Sequence, residues 1–288
     1  MQKNVLQAIQ SGMPRFSKGK RRIASYILEN YDKAAFMTAS KLGSAVDVSE
    51  STVVRFAADL GYDGYPAMQK ALQEMIRSKL TSIQRIEASS DRFSGADLVR
   101  AVLQTDMEKI RLAIDEVSTE DFEIAVDELI RAKHIYILGV RSSSFLAGYL
   151  NFYFHHIFDN VTLVTENSTG AILEQILRIG PEDVLVGITF PRYSQATLRG
   201  VRFARDRGAK IIAVTDSPNS PLYAMACAAL MARSDMISFV DSLVAAFSLL
   251  NALIVSAGYR KNADVSQIFG TLENIWEEYG VFGSFDEE

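Results

Sequence analysis

Four short, nearly unbroken apolar runs lie in the second half of the chain: Ile135-Tyr136-Ile137-Leu138, Val161-Thr162-Leu163-Val164, Val184-Leu185-Val186-Gly187-Ile188 and Ile211-Ile212-Ala213-Val214. Each is separated from the next by a segment of helix length. An apolar run that does not alternate with polar residues marks a strand buried on both faces, so the four call for a parallel sheet wrapped by helices. A weaker fifth strand is expected near residues 228–231. Crossovers between parallel strands are right-handed almost without exception, which leaves an open, doubly wound α/β sheet as the simplest topology. Such sheets hold ligands beyond the carboxyl ends of their strands.

The first half carries a helical period instead. Thr38 is placed to cap a helix whose inner face holds Leu42 and Ala45. Val46-Asp47-Val48 breaks that pattern, with Asp47 where a residue tolerant of left-handed backbone angles is wanted. Ser49 is expected to cap a second helix by accepting a hydrogen bond from an N–H one turn on. Glu50, Ser51, Thr52 and Arg55 then occupy the exposed N-terminal end, Val53, Val54, Phe56 and Leu60 form the inward stripe, and Gly61 is the stop. Two helices joined by a turn of about 3–4 residues form a helix-turn-helix. Its second helix offers base edges a hydroxyl cluster and an arginine, so double-stranded DNA is the first expected partner.

Charge supports that expectation. The net charge of −5 hides a basic head: residues 1–80 carry 12 Lys and Arg against 7 Asp and Glu, whereas residues 81–288 carry 18 against 28. Lys18, Lys20, Arg21, Arg22, Lys33, Lys41 and Arg55 are candidates for phosphate contacts, which position a reading helix without themselves reading sequence. A single cysteine, Cys227, rules out an internal disulfide and a multi-cysteine zinc site, and its alanine neighbours suggest a buried, inert thiol. His134, His155 and His156 lack metal-ligand spacing, so no metal and no cofactor are expected. No apolar run reaches the ~18 residues of a membrane span, and the N-terminus lacks a signal-peptide layout, so a cytoplasmic location without membrane partners is expected.

Tyr65-Pro66 begins an amphipathic helix running to about Leu80, with Met68, Leu72, Met75 and Ile76 at helical spacing. Residues 82–96, rich in Ser, Asp and Gly, read as a linker. Residues 96–117 return to helix through Leu98, Val102, Leu103, Met107, Ile110 and Ile114, either bridging domains or pairing with a second copy. The expected layout is an all-α helix-turn-helix domain over 1–80, a linker and bridging helix over 81–121, an α/β ligand-binding domain over 122–260 and a helical tail over 261–288. Residues 264–279 of that tail, from the same or a neighbouring subunit, are candidates to cover a ligand, and Trp276 and Phe282 suit a docked tail and a partner chain equally well.

Two loops at the expected ligand edge carry chemistry. Arg141, Ser142, Ser143 and Ser144 follow the first strand and lead into a helix; Thr189, Phe190, Pro191, Arg192, Tyr193 and Ser194 follow the third and do the same. Hydroxyls and unpaired N–H groups at a helix N-terminus favour an anion, and an arginine holds a phosphate or carboxylate in bidentate fashion. Arg141, Ser142, Ser143, Ser144, Thr189, Arg192, Tyr193 and Ser194 are therefore the candidate ligand-binding residues. The arginines have structural partners available in Glu166, Asp216 and Asp241.

Residues 42–65, with Val48-Ser49, Thr52-Val53-Val54-Arg55-Phe56 and Leu60-Gly61-Tyr62 before Gly64-Tyr65-Pro66, resemble the DNA-binding domain of the RpiR family of bacterial transcriptional regulators. The second half resembles that family's SIS (sugar isomerase) domain, through residues 139–143, 188–194, 208–217 and Ser220-Pro221-Leu222. The resemblance spans about residues 1–257. It implies a helical domain reading operator DNA and a flavodoxin-like sheet binding a phosphosugar, assembled as a homodimer or homotetramer. The chain departs from the family where SIS domains usually carry a glycine in the first loop, here Arg141, and a Ser-x-Ser-Gly-x-Thr pattern, here with Pro191 and Arg192 for a serine and a glycine. Thr189 and Ser194 keep the outer hydroxyls. Added charge and reduced space point to a smaller or more acidic ligand, such as a carboxylate or a sugar acid phosphate. The rival function is a sugar-phosphate isomerase with an accessory helical domain, for which Glu166, Glu174, His155 and His156 are the candidate bases. The two histidines fall toward the far end of the helix after the first strand, away from the ligand edge. An operator-reading domain fused to the sheet favours sensing over turnover.

Overall fold

A computed structural model describes residues 5–77, 98–234 and 240–282 of the chain. The chain divides into two compact units, one formed by Met1–Ala101 with Met236–Asp241 and the other by Val102–Asp235 with Ser242–Glu288.

In the first unit, helices α1 (Val5–Gly12), α2 (Lys18–Glu29), α3 (Tyr31–Ala34), α4 (Ala39–Ala45), α5 (Glu50–Asp59) and α6 (Gly64–Arg77) surround a core of Ile9, Ile23, Ile27, Leu42, Val53, Phe56, Met68 and Leu72. The Phe16 and Phe56 rings meet at 5.1 Å. Tyr65 is buried, and its hydroxyl donates to Met37 O at 2.8 Å, tying α6 to the end of α3. That burial pushes its pKa up to about 12. Two positions differ from the sequence reading. Ala45 is exposed, and Gly43 takes the buried place beside Leu42; Val54 is 40% exposed, and Ala57 joins the inward face instead. The expected extension of α6 to Leu80, the Ile76 side chain and the linker over 82–96 lie outside the described residues.

Helix α7 (Leu98–Glu116), whose residues from Val102 onward belong to the second unit, leads into α8 (Thr119–Arg131), followed by β1 (Ile135–Gly139), α9 (Ser143–Phe154), β2 (Val161–Val164), α10 (Thr169–Gln175), β3 (Val184–Ile188), α11 (Gln195–Asp206), β4 (Lys210–Thr215) and β5 (Ala228–Met231). Helices α12 (Val244–Arg260) and α13 (Asn262–Glu278) complete it. The strands pair in parallel in the order β2-β1-β3-β4-β5, the flavodoxin-like arrangement. Ile135, Ile137, Val186, Ile188 and Val214 pack under α8, α9 and α12 on one face; Tyr136, Leu138, Leu185, Ile211 and Ala213 pack under α10 and α11 on the other. β1 and β3 are buried throughout, as their apolar runs require. β2 is not: it is the sheet edge, with Thr162 exposed and Val161 and Leu163 half-buried. Cys227 also departs from expectation. It is exposed, its Sγ donates to Ile211 O at 3.1 Å, and partial burial of the sulfur pushes the thiol pKa up.

Close backbone approach explains two glycines. A Cβ on Gly139 would stand 2.6 Å from Ser143 O, so β1 meets the start of α9 only without a side chain there. On Gly200 it would stand 2.8 Å from Leu138 Cδ2, which lets α11 lie directly on the sheet. Among the described residues, no helix is long and apolar enough to cross a membrane.

Candidate functional site

Thr38 caps α4 as expected, its Oγ1 accepting from Lys41 N at 3.2 Å. The following turn is tight. Val48 N donates to Gly43 O at 2.9 Å, and a Cβ on Gly43 would stand 2.7 Å from Val48 O. Asp47 adopts φ 53°, the left-handed conformation its position demands, and Arg22 Nη1 donates to both its carbonyl and its carboxylate at 3.2 Å. Gly61, at φ 88°, ends α5: its N–H reaches Ala58 O while the Tyr62 N–H reaches Ala57 O, a Schellman arrangement.

Ser49 sits at the N-cap of α5, yet its side chain does not cap. Its hydroxyl instead bonds those of Ser51 and Thr52, both at 2.9 Å. Arg55 folds back along the helix, with Nε donating to Ser51 O at 3.1 Å and Nη2 to Ser51 Oγ at 3.3 Å. Glu50, Ser51, Arg55 and Lys41 are exposed and Thr52 is half-buried. This face carries one residue the sequence reading placed inward: Val54, three and four positions from Ser51 and Glu50, presents a methyl surface suited to a thymine C5-methyl. Its exposure was legible only from the register of Val53 and Phe56, which are buried.

Beside the turn, Ser17, Lys18, Arg21, Arg22 and Ser25 line a hollow closed by Ala45 and Asp47. The basic residues differ in their engagements. Lys20 pairs with Asp59 and Arg22 with Asp47, while Arg21 reaches Pro14 O at 3.4 Å.

In the second unit, both expected loops lie at the carboxyl edge of the sheet, and Arg141 and Arg192 share one property. They adopt φ 58° and φ 68°, a region that favours glycine. Holding an arginine there takes roughly 1–2 kcal/mol, which the packed surroundings must supply. Both arginines are exposed.

The hydroxyls are less available than the sequence suggested. Ser142 is the N-cap of α9 in helical conformation and makes no side-chain cap bond, while Ser144 Oγ donates back to Arg141 O at 2.6 Å. The Ser143 and Ser144 N–H groups turn back to Val140 O and Arg141 O, so two expected anion donors are engaged. Ser143 is buried, and Ser142 and Ser144 are exposed. In the other loop Ser194 caps α11, accepting from Thr197 N at 3.3 Å, and its own N–H donates to Thr189 Oγ1 at 3.1 Å.

A buried polar cluster under this loop was missing from the candidate set. Thr215, at the end of β4, donates to Thr189 O at 2.8 Å and bonds Ser220 Oγ at 2.7 Å; Asp216 accepts from the Tyr193 hydroxyl at 2.9 Å. Asp216 therefore orients Tyr193. The available signal was position, since Thr215 and Asp216 close an apolar strand at the ligand edge.

The other candidates separate. Glu166 is exposed just past β2, on the ligand edge, and Glu174 is exposed on α10. His155 and His156 stand at the far end of α9. His156 stacks on Phe269 of α13 at 5.5 Å, which brings the middle of the tail to the opposite end of the sheet and overturns the expectation that this chain's own tail covers its ligand edge. Trp276 meets Phe282 at 5.2 Å, and no residue of α13 is buried. Among the described residues, no group of three or more His, Cys, Asp or Glu could hold a metal ion.

Comparison with known proteins agrees with both halves. Residues 3–79 match the helix-turn-helix domain of the rpiR family, and residues 128–256 match the SIS domain. The HTH-type transcriptional regulator HexR of Pseudomonas aeruginosa is 25% identical over 222 residues, covering 76% of this chain and 75% of its own. An uncharacterised HTH-type transcriptional regulator of Caldanaerobacter subterraneus is 24% identical, covering 95% of this chain and 96% of its own. The Vibrio vulnificus NanR protein, solved in complex with ManNAc-6P, shares the fold with a TM-score of 0.60 at 22% identity, covering 98% of this chain and 100% of its own.

Proposed function

Because the chain belongs to the RpiR family of helix-turn-helix transcriptional regulators with a SIS domain, we propose that it binds a roughly palindromic operator through α5 and senses a phosphosugar or related sugar acid at the carboxyl edge of its sheet. The observation that carries this reading is the face of α5 on which Glu50, Ser51, Val54 and Arg55 are all exposed. Lys41, Ser49 and Thr52 complete the DNA-binding set. Ser49 and Thr52 hold the hydroxyl cluster in place, Arg55 unfolds from Ser51 to reach guanine, and Lys18, Arg21 and Lys41 meet phosphates.

The effector site is formed by Arg141, Ser142, Ser143 and Ser144 with Thr189, Arg192, Tyr193 and Ser194. NanR, of the same fold, is solved with a phosphosugar, and this supports the class of ligand. Two arginines held where glycine is sterically preferred support a ligand with more negative charge than a simple phosphosugar, a sugar acid phosphate. The protein acts as a homodimer or homotetramer, each pair of heads occupying two half-sites. Effector binding changes operator affinity to the extent that one arrangement of the heads binds it better than another. The protein is a sensor rather than an isomerase: its relatives are named regulators, and His155 and His156 lie far from the ligand edge.

The test is an in vitro selection of purified protein on fragmented genomic DNA from its source. A few sharply enriched palindromes are expected, with the neighbouring genes nominating the effector for isothermal titration. Retention of DNA in a salt-sensitive background without enriched sites would sink the regulator reading. Turnover of sugar phosphates that is lost in Glu166→Gln would establish the isomerase instead.

A further inference from the structure

Helix α7 buries polar side chains beside Ala113 against its own unit and leaves large apolar ones exposed. Toward the body it presents Lys109, 2% exposed, together with Asp106, which accepts from Ser242 Oγ at 2.5 Å, and Glu116, which Arg233 grips at 2.5 and 2.7 Å. Toward the outside it presents Leu103, Met107 and Ile114, 63, 65 and 70% exposed. Leu103, Met107, Ile110, Ile114 and Val117 are spaced 4, 3, 4 and 3 residues apart, the interval that keeps one apolar seam facing a partner helix.

The two halves of this seam differ in shape. Around its C-terminal half, Ile110, Ile114, Val117, Phe122 and Leu249 line an apolar hollow of about 340 Å³. The N-terminal half has knobs, Leu103 and Met107. A surface with knobs at one end and a hollow at the other is complementary to itself when turned about a twofold axis, and an isologous contact needs that property.

We propose that two copies of this chain pair antiparallel through α7, on an axis near Ile110, with Leu103 and Met107 of each copy entering the hollow of the other. A parallel pairing would set hollow against hollow and leave the knobs to meet each other. The antiparallel pair covers the exposed apolar stripe, gives the homo-oligomer of the functional reading a specific surface, and makes the polar contacts of Asp106 and Glu116 the device that turns the apolar face outward.

The test uses the full chain in a Cys227→Ser background, without DNA or effector, so that its outcome is independent of the operator and effector readings. Under oxidation, Leu103→Cys/Val117→Cys is expected to form covalent dimers, and Leu103→Cys alone is not. Leu103→Glu/Met107→Glu is expected to halve the mass measured by light scattering while keeping the circular dichroism spectrum of the parent. Covalent dimers from Leu103→Cys alone would overturn the antiparallel geometry. A monomeric parent, or a doubly charged variant that keeps the parent's mass, would overturn the pairing itself.

Discussion

At the scale of single residues, Arg141 and Arg192 carry the clearest conflict between local preference and structure. Both hold positive φ at exposed loop positions. Relief of left-handed strain is worth roughly 1–2 kcal/mol, against roughly 0.5–1 kcal/mol that a glycine adds in unfolded-chain entropy. Arg141→Gly and Arg192→Gly are therefore expected to be neutral or stabilising by about 1 kcal/mol in thermal unfolding, while effector affinity falls in titration; a clear loss of stability would show the arginines to be structural. The conflict was half legible in the sequence, as two arginines where the family has glycines, but the sign of φ belongs to the folded loops. Tyr65 makes a second prediction. Its pKa, raised from 10.0 to about 12, means that folding disfavours the phenolate. The stability it contributes is thus complete below about pH 10 and is lost as pH rises toward 12. Alkaline unfolding of the N-terminal unit, followed by tryptophan-independent far-ultraviolet circular dichroism, should lose stability through that window less steeply in Tyr65→Phe.

At the scale of elements, the helix-turn-helix rests on a glycine that helix propensity alone would discourage. Alanine is favoured over glycine by about 1 kcal/mol inside a helix. Its methyl at position 43 would, however, stand 2.7 Å from the backbone oxygen of Val48, and nothing there is a flexible side-chain end. The clash wins: Gly43→Ala is expected to destabilise the first unit by about 1–3 kcal/mol, read as earlier hydrogen exchange in α4 and α5. An unchanged exchange profile would show that the turn can relax. Element boundaries were legible where local chemistry sets them, as at Thr38, Asp47 and Gly61. The Ser49 cap was not, because Ser51 and Thr52 compete for the same hydroxyl at equal distance.

At the scale of the whole molecule, the basic head separates positioning from reading. Lys18, Arg21 and Arg22 line the hollow beside the turn, with Arg22 also paired to Asp47, and Lys20 is paired to Asp59. Lys18→Ala and Arg21→Ala should each weaken operator binding evenly across sequences and reduce the slope of log affinity against log salt by about 0.9. Arg55→Ala should instead relax the preference for one base pair, with affinity for that pair falling by roughly 1–3 kcal/mol and the slope nearly unchanged. Fluorescence anisotropy over a salt series on operator and scrambled duplexes separates the two. Equal slopes for all three variants would remove the division of labour.

The sequence by itself determined the class of each half, since an unbroken apolar run and a capped 3.6-residue period are properties of consecutive residues: β3 and the helix pair around Asp47 follow directly from them. It also located the two loops, because they must follow the first and third strands. Tertiary structure decided the rest. It made β2 an edge, turned Val54 outward, engaged Ser144 and Ser194 in their own turns, and assembled Thr215, Asp216 and Ser220 beneath Tyr193. Each of these depends on which residues distant in the chain meet, and a burial or a hydrogen bond belongs to a pair of groups, which no single stretch of sequence contains.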